Sequence, residues 1–70
     1  MTKTVEWKVE NKEGGRFYLT ERESGGTTWQ DVRKRGLFGN SNKDKFQSLL
    51  DAYQQKLLAA GVTVDSVEWP

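Results

Sequence analysis

"TVEWKVENKEGGRFYLTER", Thr4 to Arg22, is the stretch from which the fold can be worked out. Val5, Trp7 and Val9 alternate with Glu6, Lys8 and Glu10, the period of two that a strand shows when one face is buried and the other is wet. Gly14 and Gly15 supply the positive-φ backbone of a hairpin loop, so "RFYLTER" is expected to return as an antiparallel second strand. Phe17 and Leu19 then face inward. Tyr18, Thr20 and Arg22 share the solvent face with Glu6, Lys8 and Glu10, an arrangement that suits cross-strand charge pairing.

The strongest periodic segment lies downstream. Phe46, Leu49, Leu50, Tyr53 and Leu57 draw one apolar stripe at helical spacing. Ser41, with Asp44 three residues on, offers a start signal, and Gly61 offers a stop, which predicts a helix over about residues 42 to 60. Between hairpin and helix, "ESGGTT" breaks the strand pattern. Thr28 and Asp31 resemble a capping arrangement that would open a short helix through "WQDVRKR", closed by Gly36. So short a helix has no stability of its own, so Trp29 and Val32, with Leu37 and Phe38, are expected to anchor it.

In the tail "VTVDSVEWP" the apolar phase slips: Val62 and Val64 have one parity, Val67 and Trp69 the other. A bulge near Asp65 and Ser66 would reconcile them; a shorter strand "SVEW" preceded by loop valines is the other solution. The expected architecture is a small single α+β domain over residues 1–70. Its elements would run β-β-(short α)-α-β, a three-stranded, mostly antiparallel sheet packed on one long amphipathic helix. The last strand can pair beside the first in the parallel sense or beside the second in the antiparallel sense, and the sequence leaves both open.

Composition narrows the chemistry. With 70 residues, 34% hydrophobic and 30% charged, the chain reads as globular rather than disordered, but it is too small to spare a deep cavity. Three Trp, three Phe and two Tyr supply the bulk of a core that aliphatic residues alone would not fill. The absence of Cys and His removes disulfides, structural zinc and the usual catalytic base and thiol. No carboxylate spacing resembles a calcium loop or a paired acid and base. An enzyme is therefore not expected, and no cofactor is called for. "MTKTVEWK" carries charges and no apolar run, so neither a signal peptide nor a membrane span is read there, and a cytoplasmic protein is expected.

The net charge of +1 conceals an uneven distribution. "RKRGLFGNSNKDK", residues 33 to 45, holds five cations and a single acid. "GLFG" occurs once, unlike the many copies of nucleoporin repeats, and the stretch lacks the glycine–lysine–hydroxyl order of a phosphate-binding loop. Read as a connection between two helices, it would set Arg33, Lys34 and Arg35 opposite Lys43 and Lys45, with Asn40 and Asn42 as donors and Phe38 as an exposed aromatic. Those residues are the expected contact surface. The competing reading is an ordinary solvated loop whose cations favour a helix dipole. Two functional classes follow: a protein that regulates or inhibits a partner protein, or a weak nucleic-acid binder that contacts phosphates through the same loop.

Overall fold

The computed structural model describes residues 3–70 and shows a small α+β domain with one helix and a mixed sheet of five strands. Strands β1 (Lys3–Lys12) and β2 (Arg16–Glu23) form the expected hairpin, with Val9 opposite Leu19 and Lys12 opposite Arg16. The Lys12 carbonyl accepts from the Gly15 amide across the turn. Both turn glycines have positive φ, the conformation that side chains resist. Val5, Trp7, Val9, Phe17 and Leu19 are buried, as the alternation requires.

Helix α1 (Lys43–Ala59) packs on that face through Phe46 and Leu50, with Leu49, Tyr53 and Leu57 at its margins. Trp7 is fully buried and stacks parallel on the Tyr53 ring at 5.6 Å between centroids; Phe46 meets Phe17 at 5.5 Å and Trp69 edge-on at 6.1 Å. Aromatic pairs thus tie helix to sheet at both ends of the core, where a chain of this size has few aliphatic alternatives. The helix begins one residue later than Ser41 would cap it. Asn42 is the cap, its side chain accepting from the Lys45 amide at 3.1 Å, and asparagine is at least as good a cap as serine.

Strand β5 (Val62–Glu68) lies beside β1 and runs parallel to it, which settles the strand order left open above. Its register shifts between Val5, opposite Val64, and Glu6, opposite Ser66. Asp65 is the extra residue, so Val62, Val64 and Val67 all pack against the core despite their opposed parities. The expected bulge is present.

The short helix through "WQDVRKR" is not. In its place β3 (Gln30–Asp31) and β4 (Phe38–Asn40) pair in turn with the outer edge of β2. The sheet therefore has five strands rather than three, and the cationic stretch no longer connects two helices. Edge pairing wins because β2 would otherwise leave its amides and carbonyls unmatched, whereas one or two helical turns would repay little of their nucleation cost. Residues 32–37 leave the sheet and return to it at a single residue. The Leu19 carbonyl accepts from the Val32 amide at 2.9 Å, and the Leu19 amide donates to the Leu37 carbonyl at 3.3 Å.

Within this excursion the Leu37 amide donates to the Lys34 carbonyl at 2.9 Å, closing a turn with Gly36 at its third position and φ of 87°. A β-carbon at Gly36 would overlap Leu49 Cδ1 as well as strain the backbone. Gly36→Ala is expected to destabilise the chain by on the order of 3 kcal/mol, read as a lower urea midpoint with an unchanged m-value.

Candidate functional site

The fold distributes the cationic stretch over three places instead of gathering it around one concavity. The Arg33 guanidinium sits 5.4 Å from the Phe38 ring centroid. The Lys34 ammonium lies 4.8 Å over Tyr53 on the helix side, and Lys43 lies 5.9 Å from Trp69 at the far end of α1. Lys45 is exposed in the first turn of the helix. Asn40 and Asn42 act within the chain. The Asn40 side chain donates to the Gly36 carbonyl at 3.0 Å and accepts from the Asn42 amide at 2.9 Å, while the Asn42 side chain caps the helix.

Arg33 and Phe38 belong to the sheet face that α1 does not cover. Phe38 stands opposite Tyr18, and their rings meet edge to face at 4.9 Å. Among the described residues, Phe38 and Leu58 are the large apolar residues exposed on the surface. Trp29, expected as an anchor in the core, lies instead on this face under the Arg22 guanidinium at 4.6 Å. Its place follows from register: Gln30 is opposite Glu21, which puts Trp29 beside Arg22. Arg22 is held in turn by Glu6, with Nε 3.2 Å from Oε2 and Nη2 3.4 Å from Oε1. Thr20 is buried in the middle of the face and donates its hydroxyl to the Lys8 carbonyl at 2.8 Å. The expected cross-strand pairing is therefore realised, and three aromatic rings lie among it.

Charge on this face nearly cancels. Lys8, Lys12, Arg16, Arg22 and Arg33 are set against Glu6, Glu10, Asp31 and Glu68 by strand parity and pairing. Lys12 also pairs with Glu10 at 3.6 Å.

A second surface lies on the helix side, where Lys34, Arg35 and Leu37 of the excursion face Leu49, Ala52, Tyr53 and Lys56 of α1 across a groove of about 140 Å³. Burial pushes the Tyr53 phenol above its ordinary pKa, and the Glu21 carboxylate adds to the effect. Glu21 itself is engaged by the Trp7 indole, which donates to Oε1 at 3.0 Å. A larger cleft of about 290 Å³ lies at the β2–β3 end, lined by Lys3, Glu21–Glu23, Gly26–Thr28 and Gln30. Its cation Lys3 is paired with Glu23 at 3.3 Å. Among the described residues, no group of three or more carboxylates is arranged to hold a metal ion, and no helix is long and apolar enough to cross a membrane.

Sequence reasoning set Tyr18 and Arg22 on the solvent face but missed Trp29 there and the contacts of Phe38 and Arg33 with that face, because these depend on the β3 and β4 pairings. The groove was equally invisible, since it needs the excursion to lie against the helix. Comparison with protein-family models, with curated proteins and with solved structures finds no match to this chain.

Two outcomes are expected. Asn40→Ala should cost about 1–3 kcal/mol in unfolding free energy, because it leaves both the Gly36 carbonyl and the Asn42 amide without their partner. The neutral Tyr53 phenol contributes its stability in full below the unfolded pKa of about 10, and that contribution is lost as pH rises through the higher folded value. Tyr53→Phe should accordingly flatten the alkaline fall in stability, measured by urea unfolding at about pH 9 and about pH 11.

Proposed function

We propose that this chain is a non-enzymatic binding protein that regulates or inhibits a partner protein, and that its contact surface is the uncovered sheet face around Tyr18, Phe38 and Arg33. One observation carries the reading. The face is rich in Tyr, Trp, Phe and Arg, and it carries its own ion pairs, Arg22 with Glu6 and Lys12 with Glu10. Aromatic residues and arginine are the types enriched at protein interfaces and at their energetic centres. The rings here are held in place by neighbours: Phe38 by Tyr18 and Arg33, Trp29 by Arg22, Arg22 by Glu6. A partner binding this face would immobilise few additional rotamers, which reduces the entropy cost of association.

The same observation weighs against nucleic acid as the ligand of this face. Tight, salt-sensitive binding needs on the order of six to ten cations engaged with phosphates. Arg22 and Lys12 already hold carboxylates, and Glu68 stands opposite Lys8. Charge matching within the face leaves few counterions to release. Without Cys or His, the chain also lacks the common nucleophile and base.

The test is capture of a partner from source cells, followed by reconstitution with the purified partner. Phe38→Ala and Arg33→Ala are expected to weaken that complex roughly tenfold or more while leaving the urea midpoint of the free chain nearly unchanged. A complex indifferent to both substitutions would sink the reading. So would amide shifts on Tyr18, Trp29 and Phe38 that appear with single-stranded DNA and fade with added salt.

A further inference from the structure

We infer that the groove between the excursion and α1 is a second docking site, and that it takes an acidic peptide segment carrying one apolar anchor, aromatic or leucine-sized. Leu37 is buried, Leu49 and Tyr53 are half-buried, and Ala52 presents only a methyl group, so the lining between the walls is apolar. The volume, about 140 Å³, is close to the roughly 150 Å³ of apolar space that accommodates a benzene ring. One side chain fits; a cofactor does not.

The rim decides the chemistry of what surrounds that side chain. Lys34, Arg35 and Lys56 all line the groove, and among the described residues no carboxylate does; Glu21, which acts on the Tyr53 phenol, is engaged by the Trp7 indole. Lys45 extends the row, since Lys45, Leu49, Ala52 and Lys56 follow one another at steps of four, three and four along the helix. At about 100° per residue, Asp44 and Asp51 point more than about 90° away from this strip. Two of the helix cations, Lys45 and Lys56, thus lie on the groove strip, while Lys43 sits by Trp69 and the helix acids point elsewhere. This positive rim contrasts with the sheet face, where Arg22 is paired with Glu6 and Lys12 with Glu10. An apolar pocket ringed by cations is complementary to an apolar side chain flanked by glutamates or aspartates.

The backbone of the groove is fixed before any ligand arrives. Leu19 holds both ends of the excursion, the Lys34–Leu37 turn closes it, and Asn40 ties Gly36 down. Lys34 is additionally placed over the Tyr53 ring. Such preorganisation is what lets a shallow site hold a short segment.

The experiment is amide NMR titration of the full chain with a short synthetic peptide rich in glutamate around a single phenylalanine. A matched peptide has serine in place of the phenylalanine. The expected result is saturable shifts at Lys34, Arg35, Leu37, Leu49, Ala52 and Lys56 with the first peptide, at least roughly tenfold weaker with the second. Ala52→Glu places an acid in the groove on an exposed helix position that tolerates glutamate, and it should abolish those shifts without lowering the urea midpoint. Arg35→Ala with Lys56→Gln should weaken binding by roughly tenfold. Phe38→Ala should leave it unchanged, which separates this site from the sheet face: failure here leaves the reading of that face standing, and the reverse. Equal shifts with both peptides would overturn the proposal, since they would report a diffuse cationic surface. Concentration-dependent self-association lost on Ala52→Glu would also overturn it, in favour of a second copy of the chain as occupant.

Discussion

The peptide groups on either side of Leu19 hold the structure's least regular part in place. Through its carbonyl and its amide this residue receives Val32 and releases Leu37, so a cationic excursion with two positive charges at its tip starts and finishes at one point on the sheet. The side chain of Leu19 is fully buried beneath it. Two hydrogen bonds in a site shielded from water are worth more than their modest average, because breaking either leaves an unmatched group at the edge of a dry core. Val32 and Leu37 then turn inward and cover the side of the core that α1 and the β1–β2 hairpin leave open. A small domain needs that cover, since exposing Leu37 alone would give up about 1.5–3 kcal/mol of apolar burial.

From that anchoring the division of charge follows. Successive residues on a chain leaving a sheet edge turn to opposite sides, and Arg33 and Lys34 do so: one rests on Phe38 over the uncovered sheet face, the other on Tyr53 beside the helix. On the sheet face, register brings Arg22 and Lys8 a carboxylate from the neighbouring strand, Glu6 and Glu68 in turn. On the helix side Glu21 of β2 is engaged by the Trp7 indole, and the helix acids lie on another flank from the groove. Two surfaces of different electrostatic character arise from one run of adjacent residues.

The regular elements were legible because their periodicities are dictated by burial. Alternation fixed the faces of β1 and β2, three-and-four spacing fixed α1 to within a residue or two, and the conflicting parity of Val64 and Val67 left a bulge or a shorter strand, of which the bulge at Asp65 is the one formed. Residues 28–40 were misread because their local signals and their tertiary environment disagree. Thr28 and Asp31 satisfy a capping pattern, but the unpaired edge of β2 offers ladder hydrogen bonds that a helix of that length cannot match. The misreading carried over to the site. A loop between two helices would have collected its cations; an excursion from a sheet edge separates them. Asn40 and Asn42 looked like donors awaiting a ligand and prove to stitch the excursion to the helix start.

Why a chain of 70 residues should tie so irregular a segment down so firmly is a matter of entropy. Closing a short loop costs little beyond the ordering of its own residues, and each doubling of length would add only about 0.6 kcal/mol. The larger cost is immobilising lysine and arginine side chains, roughly 1.5–2 kcal/mol each when fully fixed. Here that cost is met partly during folding, by stacking Arg22 on Trp29, Arg33 on Phe38 and Lys34 on Tyr53. Each ring holds a cation near one position, and the Arg22 guanidinium, lying over Trp29, still donates from its edge to Glu6. The arrangement fits a surface built to meet something: order is invested where it lowers the cost of association, and the core beneath keeps only what is needed to support it.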